Sequence, residues 1–342
     1  MVRIVRGVAP VRVCDIGGWT DTWFAGHGRV LNVAVSPGVL VRAAVYAAGE
    51  REHHVLLHAE NYGDRYPVVP GGTLPGRHPL LEAAIDEVGV RDDVAVELTV
   101  RADVPPGCAT GTSAAVTVAL VGVLAHVAGR RMTADEVART AHRIEAERLG
   151  LQSGVQDQLC SAHGGISLIE MDAYPHATVS PVQIPQATWA ELERRLVLVY
   201  LGRPHASSDV HSRVIARLSE MNGWTRELDV LRALALDARN ALCAGDLRAF
   251  GDVMCANTEA QAALHPELVS AVAREVIAVA GAHGAVGWKV NGAGGDGGSL
   301  TVLCGPEVGG RVGLLRALGE VSPGMRMIPA RLSRSGLRVR ES

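Results

Sequence analysis

Pro105-Pro106-Gly107-Cys108-Ala109-Thr110-Gly111-Thr112-Ser113-Ala114-Ala115 stands between a strand pattern and a helix pattern. Upstream, residues 93–102 alternate apolar and polar (Val94, Val96, Leu98, Val100), the period-two mark of a half-buried strand. Downstream, residues 112–127 form an Ala/Val/Leu run without alternation, which predicts a buried helix. The glycines and small side chains between them let backbone approach a ligand closely. A helix beginning near Thr112 would present unpaired N–H groups and the positive end of its dipole to an anion. Strand-to-helix turns also carry Gly and Thr for structural reasons alone, so this stretch does not decide function unaided.

Composition narrows the chemistry. Lys289 is the only lysine in 342 residues. Neither a Walker A loop nor a protein-kinase ATP site can be built without a suitably placed lysine, so a phosphate loop here must work through backbone N–H groups. The length suggests two lobes, and 4% aromatic residues against 48% hydrophobic imply aliphatic cores. A net charge of −3, with no Lys/Arg-rich run, excludes an electrostatic case for nucleic acid. The six cysteines are scattered without a CxxC pair, which reads as buried free thiols in a reducing compartment, not a metal site or disulfide framework. No signal-like core and no apolar run of membrane-spanning length are present, so a soluble, cytoplasmic protein without a membrane partner is expected.

Outward from the loop, residues 2–16 read as strand broken by Pro10, and 29–36 and 38–47 as two β runs joined at Pro37. Residues 50–78 read as a variable stretch. Thr133 with Glu136 makes a capping box that opens a helix with Val137, Ala141 and Ile144 on its buried stripe. The segment 173–188 holds Pro175, Pro181 and Pro185 and is the best boundary. The expected organisation is therefore α+β, with an N-terminal lobe over 1–185 and a C-terminal lobe over 186–342. The second lobe would end in strand, glycine loop, strand, helix and two short strands.

Two further stretches carry chemistry. One is Ala9-Pro10-Val11-Arg12-Val13-Cys14-Asp15-Ile16-Gly17-Gly18-Trp19-Thr20-Asp21-Thr22. The other is Lys289-Val290-Asn291-Gly292-Ala293-Gly294-Gly295-Asp296-Gly297-Gly298-Ser299, where five glycines in seven residues imply a tight loop with several positive-φ positions. Alone, it could be a tight hairpin.

In this order, the three stretches resemble the motifs of the GHMP (galactokinase, homoserine kinase, mevalonate kinase, phosphomevalonate kinase) superfamily. The first is similar to the family's Pro-x-x-Gly-Leu-Gly-Ser-Ser phosphate loop, the second to the substrate motif of its sugar kinases, the third to its C-terminal Gly-Ala-Gly-Gly loop. Arg143-Ile144-Glu145 through Gly154-Val155-Gln156-Asp157-Gln158 resembles the segment leading to the family's catalytic aspartate. The Gly-Gly-Trp-Thr-Asp form most resembles fucokinases and heptose 7-phosphate kinases.

The resemblance implies a two-lobed fold: an N-terminal β-α-β lobe with a left-handed crossover, a C-terminal ferredoxin-like lobe, and the active site in the cleft between them. It implies an ATP- and Mg2+-dependent kinase acting on a hydroxyl, anomeric by preference, of a sugar or sugar phosphate such as a heptose or fucose-like sugar. Asp157 matches the catalytic aspartate and Arg12 the arginine that stabilises charge beside it. Ser113 and Glu145 match the magnesium ligands. Glu147 is the rival of Glu145, and residues two apart on a helix point away from each other, so one alone can face the site. Pro106, Gly107, Cys108, Ala109, Thr110, Gly111, Thr112 and Ser113 would bind ATP. Asp21, with Gly17, Gly18, Trp19, Thr20, Gly294 and Gly295, would bind substrate.

Three departures from the family pattern stand out. Ala109 and Thr110 replace Gly and Leu, and Ala109 at positive φ would cost about 1 kcal/mol. Gly18 replaces the glutamate of galactokinases, which argues against galactose. Asp296 puts a carboxylate near where substrate phosphate would lie, which favours an unphosphorylated acceptor. Lys289 reads as a support for the glycine loop. His27, His205 and His211 read as ordinary histidines. The expected partner is a small-molecule sugar, with a homodimer left open. Rival readings are a cyclitol or other non-sugar alcohol kinase and a non-catalytic nucleotide- or sugar-binding protein.

Overall fold

A computed structural model describes residues 2–72, 76–204, 207–220, 226–321 and 324–342. Its strands are β1 (Arg3–Ile16), β2 (Gly28–Ala47), β3 (Val55–Ala59), β4 (Asp64–Val68), β5 (Val94–Ala102), β6 (Ile166–Ala173), β7 (His176–Pro181), β8 (Leu196–Tyr200), β9 (Gly287–Val290), β10 (Ser299–Leu303), β11 (Arg326–Ile328), β12 (Arg331–Leu332) and β13 (Arg338–Glu341). They form two sheets. The first runs β13-β1-β2-β5-β3-β4, with β6 and β12 also pairing β2 and β7 pairing β6; the second runs β11-β8-β10-β9. Among the described strands only β3 and β5 pair in parallel, and β4 and the helix Pro79–Val88 lie between them in the chain.

The helix Thr112–Val127 is buried nearly all round, as its uninterrupted apolar run requires. It packs on β1 and β2, which positions the loop before it over the end of β1. Thr133 caps the helix Ala134–Arg143 with the full capping box, and a π-turn, Ile144–Arg148, continues it. Such turns re-aim side chains within a helix, and this one carries Glu145. In the second lobe β8 is buried on both faces: Leu196, Leu198 and Tyr200 join the main core, while Val197, Val199 and Leu201 join a separate cluster with Val290, Leu300 and Val302.

Several expectations need correction. Pro10 and Pro37 do not interrupt strands: β1 absorbs a register shift between Ala9 and Val11, and β2 runs through Pro37. Residues 50–78 contain β3 and β4, with Pro67 tolerated because β4 is a sheet edge. The segment 173–188 is not a linker but the β6–β7 hairpin followed by the helix Gln186–Arg195. Nor does the chain end in the second lobe, since β12 and β13 return to the first sheet. Cys243 is exposed, whereas Cys14, Cys108, Cys160 and Cys304 are buried; all six are free thiols. His205 and the side chain of His211 lie outside the described residues. No described helix is long and apolar enough to cross a membrane.

Candidate active site

A cavity of about 380 Å³ opens where the end of β1, the loop before Thr112, the segment 151–157 and the glycine loop meet. Its lining brings together Arg12, Asp21, Ser113, Glu145 and Asp157, which are scattered along the first half of the chain.

Arg12 organises the floor. Its Nε donates to Asp157 Oδ1 at 2.7 Å and its Nη2 to Oδ2 at 3.2 Å, a bidentate clamp. Nη1 donates to the Ala109 carbonyl at 2.5 Å, and the Arg12 N–H donates to the Thr110 carbonyl. Burial alone would lower the Arg12 pKa, but Asp157 and Asp15 outweigh it and hold it above its ordinary value. The guanidinium thus ties the aspartate to the phosphate loop.

That loop has the geometry of an anion cradle. Gly107, Ala109 and Gly111 have φ of 67°, 57° and 68°, and successive N–H groups in such turns can converge on an anion. Ala109 adopts the positive φ that its position was expected to demand. Gly111 precedes the helix Thr112–Val127 with no side-chain cap, which leaves the helix N-terminus to an outside acceptor. A Cβ on Gly111 would come within 3.0 Å of Asp157 Cγ, so only glycine lets the loop lie against the aspartate. Gly107 through Ser113 line the cavity, whereas Pro106 does not.

Glu145 projects from the π-turn into the cavity, and Glu147 is exposed. Glu145 is 5% exposed, and burial, with the charge of Asp157, pushes its pKa up to about 7. Neutral groups meet it: Thr117 Oγ1 lies 3.4 Å away, and Ser153 Oγ donates at 3.2 Å. A cation would complete a buried carboxylate with such neutral partners. With Ser113 also on the lining, the set suits magnesium, which takes hard oxygen donors and few protein ligands.

Asp21 stands at the start of the helix Gln156–His163. Its Oδ2 accepts from the Gln156 N–H at 3.0 Å and its Oδ1 from Gln156 Nε2 at 3.2 Å. Burial raises its pKa to about 6, against the opposing Gln156 hydrogen bond. Trp19 and Thr22 line the cavity beside it, whereas Gly17, Gly18 and Thr20 form the turn behind. In that turn Thr20 Oγ1 donates to the Gly17 carbonyl, and the Gly17 N–H donates to Asn257 Oδ1. Gly294 and Gly295 also lie off the cavity, against the Leu268 carbonyl; Gly292 and Ala293 line it instead.

Asp15, Thr22, Gln152 and Ser153 also line the cavity, though the motifs assigned them no role. Asp15 matters most. It is 1% exposed, accepts from the Gly292 N–H at 3.0 Å and from Lys289 Nζ at 3.3 Å, and lies 4.0 Å from Arg12 Nη1. Lys289 is equally buried and also donates to Gln261 Oε1 and the Val290 carbonyl. The lone lysine therefore supports the glycine loop through Asp15, and the visible signal was a carboxylate inside an apolar strand. Asp296 is exposed, pairs with Arg203 at 3.2 Å and does not line the cavity, so the charge argument attached to it does not hold there.

Residues 79–165 match the GHMP kinases N terminal domain. It is 23% identical to the L-fucokinase/L-fucose-1-P guanylyltransferase of Bacteroides fragilis, over 99% of this chain and 39% of that protein. It is 25% identical to the D-glycero-alpha-D-manno-heptose 7-phosphate kinase of Campylobacter jejuni, over 57% of each. The matches thus cover less than two thirds of the length of both relatives. In three dimensions it resembles a D-glycero-D-manno-heptose 1-phosphate kinase from Bacteroides thetaiotaomicron, with a TM-score of 0.76 at 21% identity, over 99% of this chain and 98% of that one. The mixed α/β architecture is therefore the GHMP kinase fold.

Proposed function

We propose that this chain is an ATP-dependent kinase that transfers the γ-phosphoryl group to a hydroxyl, preferentially the anomeric one, of a sugar such as a heptose or fucose-like sugar. The observation that carries the reading is the Arg12–Asp157 clamp set against a lysine-free phosphate loop in one cavity. The fucokinase and heptose-kinase relatives supply the substrate class.

Asp157 takes or orients the proton of the acceptor hydroxyl as its oxygen bonds to the γ-phosphorus and the bond to the β-phosphate bridge breaks, releasing ADP. Arg12 aims both carboxylate oxygens and places a fixed positive charge beside the developing one. The loop N–H groups of residues 107–113 and the helix start at Thr112 hold the polyphosphate. Ser113 and Glu145 would hold magnesium, which when bound neutralises phosphate charge. Asp21 and Trp19 flank the acceptor.

A coupled ADP-release assay over hexoses, heptoses and cyclitols tests the proposal. Acceptor-dependent ADP release with a sugar is expected. Turnover with cyclitols alone would move the substrate to a non-sugar alcohol, and no acceptor-dependent turnover would defeat the kinase reading.

A further inference from the structure

The cavity is charged in one sense. Four carboxyl groups, Asp15, Asp21, Glu145 and Asp157, face it against one basic side chain, Arg12. Arg12 is already committed to Asp157 and the Ala109 carbonyl, with Asp15 adjacent. Lys289 is turned onto Asp15 and Gln261 and does not line the cavity. Arg203 is likewise off the lining and paired with Asp296. The nucleotide's phosphates have the loop N–H groups and a helix N-terminus to meet them. On the side formed by Trp19, Asp21, Thr22 and Gln156, no described basic side chain lines the cavity for a second phosphate.

Hydrogen-bond polarity points the same way. Gln156 is 8% exposed, and its Nε2 donates to Asp21 Oδ1. An ionised carboxylate only accepts, so this bond fixes the amide with nitrogen toward Asp21 and oxygen away from it. Gln156 Oε1 is buried and finds no partner among the described residues. A buried acceptor left bare is costly, and a ligand that donates to it relieves that cost. Polyol hydroxyls donate. A phosphate dianion placed at the same point only accepts, so it could not meet this oxygen.

Resting on the kinase reading, we infer that the acceptor is an unphosphorylated polyol, one hydroxyl of which donates to Gln156 Oε1, and that the monophosphate of the same polyol is rejected. The basis is this cavity wall, not Asp296.

The test uses the full chain at saturating Mg·ATP, with ADP release measured for free hexoses, heptoses and inositols, each beside its own monophosphate. The best free acceptor is expected to exceed its monophosphate in kcat/KM by at least about 100-fold, since sites built around buried polar groups discriminate strongly. Gln156→Met should raise the KM for that free acceptor by about 10-fold or more while leaving the KM for ATP unchanged, the scale of one lost buried hydrogen bond. A monophosphate used as well as its free partner overturns the inference and leaves the kinase reading standing. An unchanged acceptor KM in Gln156→Met overturns it too. ADP release that no acceptor of either set stimulates defeats the kinase reading, and the inference with it.

Discussion

Asp157 and Glu145 are both carboxylates on one cavity, yet their surroundings give them different work. Asp157 is clamped by Arg12 through both carboxylate oxygens, which aims the group that would receive the proton in the proposed reaction. Asp157→Asn keeps the shape and loses that capacity, so kcat should fall at least about 100-fold with ATP affinity nearly unchanged, measured by steady-state turnover and nucleotide titration. Glu145 is met by the hydroxyls of Thr117 and Ser153, and it is the carboxylate proposed to hold magnesium. Glu145→Gln should therefore raise the magnesium concentration needed for half-maximal activity far more than Glu147→Gln, whose side chain is exposed. The reverse order would mean that Glu147 is the ligand. Asp21 predicts a pH effect. Its folded pKa, about 6, lies above the ordinary 3.8 because burial penalises its charge. The folded state then binds its proton more tightly than the unfolded state, so this contribution is complete below about pH 4 and is lost as pH rises through 6. The shift is worth about 3 kcal/mol at most, at 1.4 kcal/mol per pK unit. The melting temperature of the ligand-free protein should fall less between pH 5 and 7.5 in Asp21→Asn than in wild type.

The elements that hold these residues were unevenly legible. The helix Thr112–Val127 could be read because its apolar run is long and local. The β6–β7 hairpin could not, because Pro175 and Pro181 read as breakers, although Pro175 lies in the turn and Pro181 at the last residue of a strand. Arg12, Asp157 and the phosphate loop stood out as motifs; Asp15 did not, since its partner Lys289 is 274 residues away and no local pattern announces the pair. That pair joins the end of β1 to β9 and fixes the start of the glycine loop through Gly292. Removing one member of a buried ion pair strands the other charge. Lys289→Met should therefore cost roughly 3–5 kcal/mol in denaturant unfolding. Asp15→Asn/Lys289→Met, which leaves neither charge alone, should recover much of that loss, and the cycle of single and double variants measures the coupling. Additive losses would show that the two charges do not depend on each other.

At the scale of the whole molecule, the first lobe is completed by the chain's last residues. Between the helix Gln186–Arg195 and β11 the chain builds the second sheet and its helices, and then β12 adds to β2 and β13 to β1. Pairing between residues so far apart, such as Ser36 with Arg331 and Val5 with Glu341, leaves no periodic trace, which is why a boundary near 185 looked sufficient from the sequence. The return does more than cover an edge. Leu332 is buried in the main core, and Leu337 packs against Gly7 and Gly122, so closely that a Cβ on Gly122 would lie 2.4 Å from Leu337 Cδ2. Val5 through Val8, at the start of the strand that also carries Arg12 and Asp15, pair with Arg338 through Glu341. Deleting residues 331–342 would expose those backbone groups and remove the buried Leu332 and half-buried Leu337 from the lobe; one fully buried leucine is worth about 1.5–3 kcal/mol. The truncated chain should lose roughly 3 kcal/mol or more of stability, and the loss should appear throughout the first lobe. Hydrogen exchange is the measurement that separates the alternatives. Faster exchange across β1, β2 and the helix Thr112–Val127, with nucleotide binding weakened in parallel, is the expected result; fraying confined to the first residues of β1 would mean that the closing strands are an ornament on a lobe that stands without them.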